Sequence, residues 1–201
     1  EWHKDLKDYA NLRGLDLFSS PFDVTAVDFL ESINIPAYKI ASFEITDHIL
    51  IKKIAQTKKP VIISSGMASL NDLNDAIKIL RENGCNQIAM LKCTSAYPAK
   101  HENANLNTIK HMIETFNVVG GLSDHTLGIE VPIASVVLGG RIIEKHFKLQ
   151  DNSGSEDGVG PALNWDTGKV IDMSNMFNAC DKFNADISSW NTKSVKNMSS
   201  L

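Results

Sequence analysis

Along most of this chain a short apolar run ends in Ser, Thr, Lys or Glu and leads into an amphipathic helix. Strands separated in this way cannot pair as hairpins. They need helical crossovers, and crossovers make parallel sheets. A parallel sheet covered by helices gathers its polar strand ends on one rim. The pattern is therefore the sequence form of an α/β barrel with its site at the strand ends.

The periodicity predicts helices over 24–33, 48–57, 70–83, 106–116 and 129–138, preceded by the end of a helix in 1–14 with Gly14 as its stop signal. In 70–83 the apolar residues Leu70, Leu73, Ala76, Ile77 and Leu80 keep helical spacing, and Gly84 follows as a cap. Strands are predicted at 15–18, 37–41, 60–63 and 88–91, and in two later segments that end in histidine. A closed (β/α)8 barrel needs eight strands and typically ~250 residues. Six strands imply an α/β fold of partial-barrel type, with six of eight βα units in residues 1–168. The opening helix, with no strand before it, reads as a cut through a repeating unit. The end strands should then be open edges, and the inner positions near Ile40, Ile62, Leu91 and Ile143 should lose packing partners.

The two histidine segments are Gly121-Leu122-Ser123-Asp124-His125-Thr126 and Ile143-Glu144-Lys145-His146-Phe147. Successive parallel strands that finish in histidine can bring both rings to one rim, and neutral imidazole is the commonest protein ligand of a divalent transition metal. The other strand ends add Ser20, Lys39, Ser42, Glu44, Ser64, Lys92, Ser95, Tyr97 and Ser123. Hydroxyls and ammonium groups at this density suit a phosphate or a carboxylate. Taken singly, a serine at a strand end is more often a helix N-cap, and a lone histidine is more often structural. Strand alternation turns Lys145 to the face opposite Glu144. His3, His48, His101 and His111 read as solvated surface.

A net charge of −4 gives no pull toward nucleic acid or anionic membrane. No apolar run approaches the ~18 residues that span a bilayer. Cys85, Cys93 and Cys180 form no C-x-x-C pair, which points to reduced thiols and a cytoplasmic setting. The chain opens on Glu1-Trp2-His3 instead of Met, so a fragment is expected. After residue 168 the alternation stops. Val170-Ile171-Asp172-Met173-Ser174 is echoed 25 positions later by Val195-Lys196-Asn197-Met198-Ser199, a period in the solenoid range. Little more than one repeat cannot bury a solenoid core.

Five motifs in order carry a specific resemblance: Phe18-Ser19-Ser20-Pro21-Phe22, Tyr38-Lys39-Ile40-Ala41-Ser42-Phe43-Glu44, Ser64-Ser65-Gly66-Met67, Lys92-Cys93-Thr94-Ser95-Ala96-Tyr97-Pro98, and the two histidine segments taken together. Residues 1–168 resemble the sialic acid (nonulosonic acid) synthase family. Lys-Ile-Ala-Ser-Phe-Glu, Lys-Cys-Thr-Ser and Ser155-Glu156-Asp157 look most like its pseudaminic acid synthases. The resemblance implies condensation of phosphoenolpyruvate with an open-chain amino sugar, giving a nine-carbon 2-keto acid and phosphate. It implies that His125 and His146 hold a divalent cation, manganese or magnesium. Ser20, Lys39, Ser42, Ser64, Ser95 and Ser123, with Tyr97 nearby, would bind phosphoenolpyruvate. Asp157 would contact the sugar, and Glu44 would handle protons or activate water.

The family's first two βα units, which bring a catalytic Glu and a phosphate-binding Lys, have no counterpart here. The antifreeze-like domain through which the family forms homodimers is also missing, so impaired activity is expected. Residues 169–201 resemble BspA-like leucine-rich surface repeats, which suggests a truncated or fused gene product. A surface interaction protein and a non-catalytic metal- or phosphate-binding barrel remnant are the alternative functions.

Overall fold

The structure, a computed structural model, describes residues 2–147 and positions 193, 196 and 197. The chain divides into two units, Glu1–His146 and Phe147–Leu201. The boundary expected at 168, Asp157 and all but those three positions of the tail lie outside the described residues.

Five strands form a parallel half-barrel in sequential order: β1 (Tyr38–Ile40), β2 (Val61–Ser64), β3 (Ile88–Cys93), β4 (Val119–Asp124) and β5 (Ile142–Lys145). The helices are α1 (His3–Leu12), α2 (Val24–Ser32), α3 (His48–Gln56), α4 (Leu70–Glu82), α5 (Asn107–Phe116) and α6 (Glu130–Val137). Local chemistry sets their ends. Asp23 and Asp47 accept hydrogen bonds from the first turns of α2 and α3, and Ser69 with Asp72 closes a capping box on α4. Asn117 ends α5 in the left-handed conformation, and Gly84 follows α4 at φ +96°.

The strand expected at 15–18 does not form. Only Ser19 pairs with Tyr38, through one hydrogen bond from the Lys39 amide to the Ser19 carbonyl at 3.2 Å. Pro21 follows at once and has no N–H to extend a ladder. Leu15 is 63% exposed, so no burial holds the segment flat.

Register decides which side chains face the site. Lys39 pairs with Ile62, Ser64 with Leu91, Cys93 with Ser123, and Ser123 with Glu144. With strand alternation, these residues share the inner face. Tyr38, Ile40, Ile63, Met90 and Leu122 take the helix-facing side. Of these, Tyr38, Ile40, Ile63 and Met90 build the main core with α2, α3 and α4, and Leu122 packs with Ile109 and Val131 of α5 and α6. Ile40 and Ile143 are therefore not inner positions, contrary to the expectation above. Nor do Ile40 and Leu91 lose their packing, since both are fully buried.

Candidate active site

The C-terminal rim gathers a connected set of polar groups. Lys39 reaches from β1 along the inner face, and its ammonium donates to the Ser64 hydroxyl at 2.7 Å. It also lies 3.5 Å from the Glu144 carboxylate. Glu144 in turn accepts a hydrogen bond from the Ser123 hydroxyl at 2.7 Å. Lys39, Ser42, Ser64 and Ser123 are all buried. Burial pushes the Lys39 ammonium below the usual lysine range, and the negative charge of Glu144 works against that shift. A buried cation beside hydroxyl donors is the chemistry that binds a small anion.

A second group surrounds Gly66. An added Cβ there would lie 2.5 Å from the Ser95 hydroxyl, 2.7 Å from that of Ser42 and 3.1 Å from the Cys93 sulfur. The missing side chain is thus what lets these three groups converge. Burial raises the Cys93 pKa, but neighbouring His125, Ser42 and Ser123 outweigh it and bring the thiol down to about 7. Glu44 sits on the 3-10 turn Ser42–Thr46 after β1, and its Oε2 is buried with no hydrogen-bond partner. An orphaned buried carboxylate oxygen is costly unless something else satisfies it.

The two imidazoles come together. The His125 and His146 rings lie 5.1 Å apart between centroids, and the Tyr97 ring is 4.2 Å from the first and 5.6 Å from the second. The Thr94 carbonyl can only accept, so His125 Nδ1, 2.9 Å away, carries the proton. That contact fixes the orientation of the His125 ring. Two adjacent imidazoles suit a divalent transition cation in donor chemistry. Among the described residues no cluster of three or more His, Cys, Asp or Glu forms a ligand set.

Lys39, Ser42, Glu44, Ser64, Ser95, Tyr97, Ser123, His125 and His146 thus meet at one rim. Ser20 is half-buried and follows the Ser19–Tyr38 bridge, whose parallel register sets it opposite Lys39. His3 is also not solvated surface. It is half-buried, stacked on Trp2 and edge-on to Phe29. Cys93 and Glu144 belong to the site but were not singled out by sequence. Glu144 lies two residues from His146, so alternation alone carries the signal that they share a face.

A parallel α/β half-barrel with an anion cradle and two imidazoles at its strand ends defines a barrel protein built around a polar rim site. The chain belongs to the NeuB family, whose model matches residues 1–198. That match runs through the tail and gives no support to a relation with BspA-like repeats. The chain is 49% identical over 157 residues to the pseudaminic acid synthase of Helicobacter pylori, covering 78% of this chain and 46% of that protein. It is 39% identical over 157 residues to the N,N'-diacetyllegionaminic acid synthase of Campylobacter jejuni, covering 77% and 47%. Its fold matches the crystal structure of the N-acetylneuraminic acid synthetase of Leptospira borgpetersenii with a TM-score of 0.75 and 31% identity, over 79% of this chain and 56% of that one. The chain spans about half the length of the curated relatives it matches. No helix of the described residues is long and apolar enough to cross a membrane.

Proposed function

We propose that the protein is a nonulosonic acid synthase of the cytoplasm, joining phosphoenolpyruvate to an open-chain amino sugar and releasing phosphate. The observation that carries this reading is the set of contacts that joins Lys39 to Ser64 and, through Glu144, to Ser123, with Cys93 touching both Ser123 and His125 of the imidazole pair. It sets an anion cradle beside two imidazoles.

In this reading the Lys39 ammonium, with Ser42, Ser64, Ser95 and Ser123, holds the anionic groups of phosphoenolpyruvate. Glu144 keeps Lys39 charged and aimed at the cradle. Glu44, with a free lone pair in a buried setting, takes up the proton of the attacking water. Tyr97 covers the imidazoles, and Asp157 contacts the sugar. His125 and His146 would hold a manganese or magnesium ion. When bound, that ion supplies Lewis-acid polarisation of the sugar aldehyde. The identities favour a pseudaminate-type sugar over a legionaminate-type one, at 49% against 39%.

The test is phosphate release followed by 31P NMR with phosphoenolpyruvate, manganese and a 2,4-diacetamido-trideoxyhexose. Sugar-dependent release at low turnover is expected, and Lys39→Met should abolish it. Release that needs no sugar, or that survives Lys39→Met, would overturn the synthase reading.

A further inference from the structure

Behind the two-histidine rim lies a buried ion pair that no role assigned above uses. Asp124 and Lys145 are cross-strand partners at the ends of β4 and β5. Their charged groups meet at 2.6 Å, with side chains 2% and 9% exposed. Each immediately precedes one of the two histidines. The pair lies on the opposite face of the sheet from Ser123, Glu144 and the imidazoles, as alternation requires.

The contacts extend past His125. Asp124 accepts hydrogen bonds from the Thr126 amide at 3.1 Å and the Thr126 hydroxyl at 2.9 Å. The Lys145 ammonium also donates to the Thr126 carbonyl. The residues before and after His125 are therefore both tied to the ion pair, and His146 follows directly from its other half. On the site side the His125 carbonyl accepts from the Ala99 amide at 2.7 Å. A one-residue slip between β4 and β5 would turn one histidine to the helix-facing side. It would also separate two charges buried together, which is a steep penalty.

We propose that Asp124 and Lys145, with Thr126, form a positioning clamp that fixes the register of the two histidine-bearing strand ends and so brings both imidazoles to one rim. The clamp touches neither substrate nor metal in this reading. Its metal readout alone rests on the function proposed above.

The test compares wild type with Lys145→Arg, Lys145→Met and Thr126→Val in histidine-ring-labelled protein. Nuclear Overhauser contacts from the His125 ring to the His146 and Tyr97 rings need no metal. They should be present in wild type and Lys145→Arg and lost in Lys145→Met, while the core methyl signals of Ile54 and Leu80 stay in place. Manganese affinity, followed by EPR, should fall at least tenfold in Lys145→Met and stay within threefold in Lys145→Arg. If wild type binds no manganese, the metal reading fails and the ring contacts still decide the clamp. If Lys145→Met does not fold, Thr126→Val decides, with weakened ring contacts expected. Ring contacts unchanged from wild type in the variant that decides would overturn the proposal.

Discussion

Gly66 shows how much of the site depends on a side chain that is absent. Three polar groups crowd the position a Cβ would occupy, and two of them would sit under 3 Å away. Gly66→Ala should cost about 1–3 kcal/mol through overpacking, read from denaturant midpoints, and should spread the Ser42, Cys93 and Ser95 groups. Cys93 makes a second prediction. Its folded pKa of about 7 lies below the ordinary thiol value of 9.0. Between those values the unfolded chain holds the proton and the folded chain does not, so stability rises with pH across that window and is lost as pH falls through about 7. Thermal melts from pH 6 to pH 9 should show the rise in wild type and lose that part of it in Cys93→Ser. A pH profile identical in the two proteins would show that the thiol is not ionised there. Cysteine chemistry of this kind has no signature in sequence spacing, because Ser42 reaches Cys93 from the turn after β1, and Ser123 and His125 reach it from the end of β4.

At the scale of elements, most of the architecture follows from local signals. The apolar spacing of residues 70–83, the Ser69 cap and Gly84 are sufficient to define α4, which the structure ends at Glu82 with Asn83 as its cap. The 15–18 segment misled because its apolar residues signal a strand only if a neighbour extends the ladder, and here a single bridge forms. The inward set was also hard to read. Ile40 and Ile143 are apolar enough for either face, and only the register with β2 and β4 assigns them. Gly121 marks where that register is tightest. A Cβ there would lie 2.3 Å from the Ile142 carbonyl oxygen, a backbone atom that cannot turn aside. Gly121→Ala should therefore break β4–β5 pairing. Hydrogen exchange at the β5 amides should speed up while α4 stays protected, and uniform protection in both would contradict the assignment.

At the scale of the whole molecule, the Glu1–His146 unit carries exposed apolar side chains on α6 and β5. Val137 is 83% exposed and Val136 55% on α6, and Ile143 of the end strand β5 is 44% exposed. Exposed apolar surface of this kind promotes association. Light scattering should show concentration-dependent association that Val137→Lys reduces, and the melt should fall at or below ~65 °C, within the usual mesophile range. A monomer at high concentration with a melt far above that range would show that this surface carries no such liability.

We infer that the strand-end rim of this half-barrel is an anion site organised by Lys39. Its most direct test is calorimetric titration of phosphoenolpyruvate into wild type and Lys39→Met, with matched circular dichroism spectra to show that both are folded. Removing a charge-assisted contact of roughly 1.5–3 kcal/mol corresponds to a loss of affinity of about ten- to a hundredfold. A loss of that size is expected, and equal affinity in the two proteins would show that Lys39 does not hold the anion.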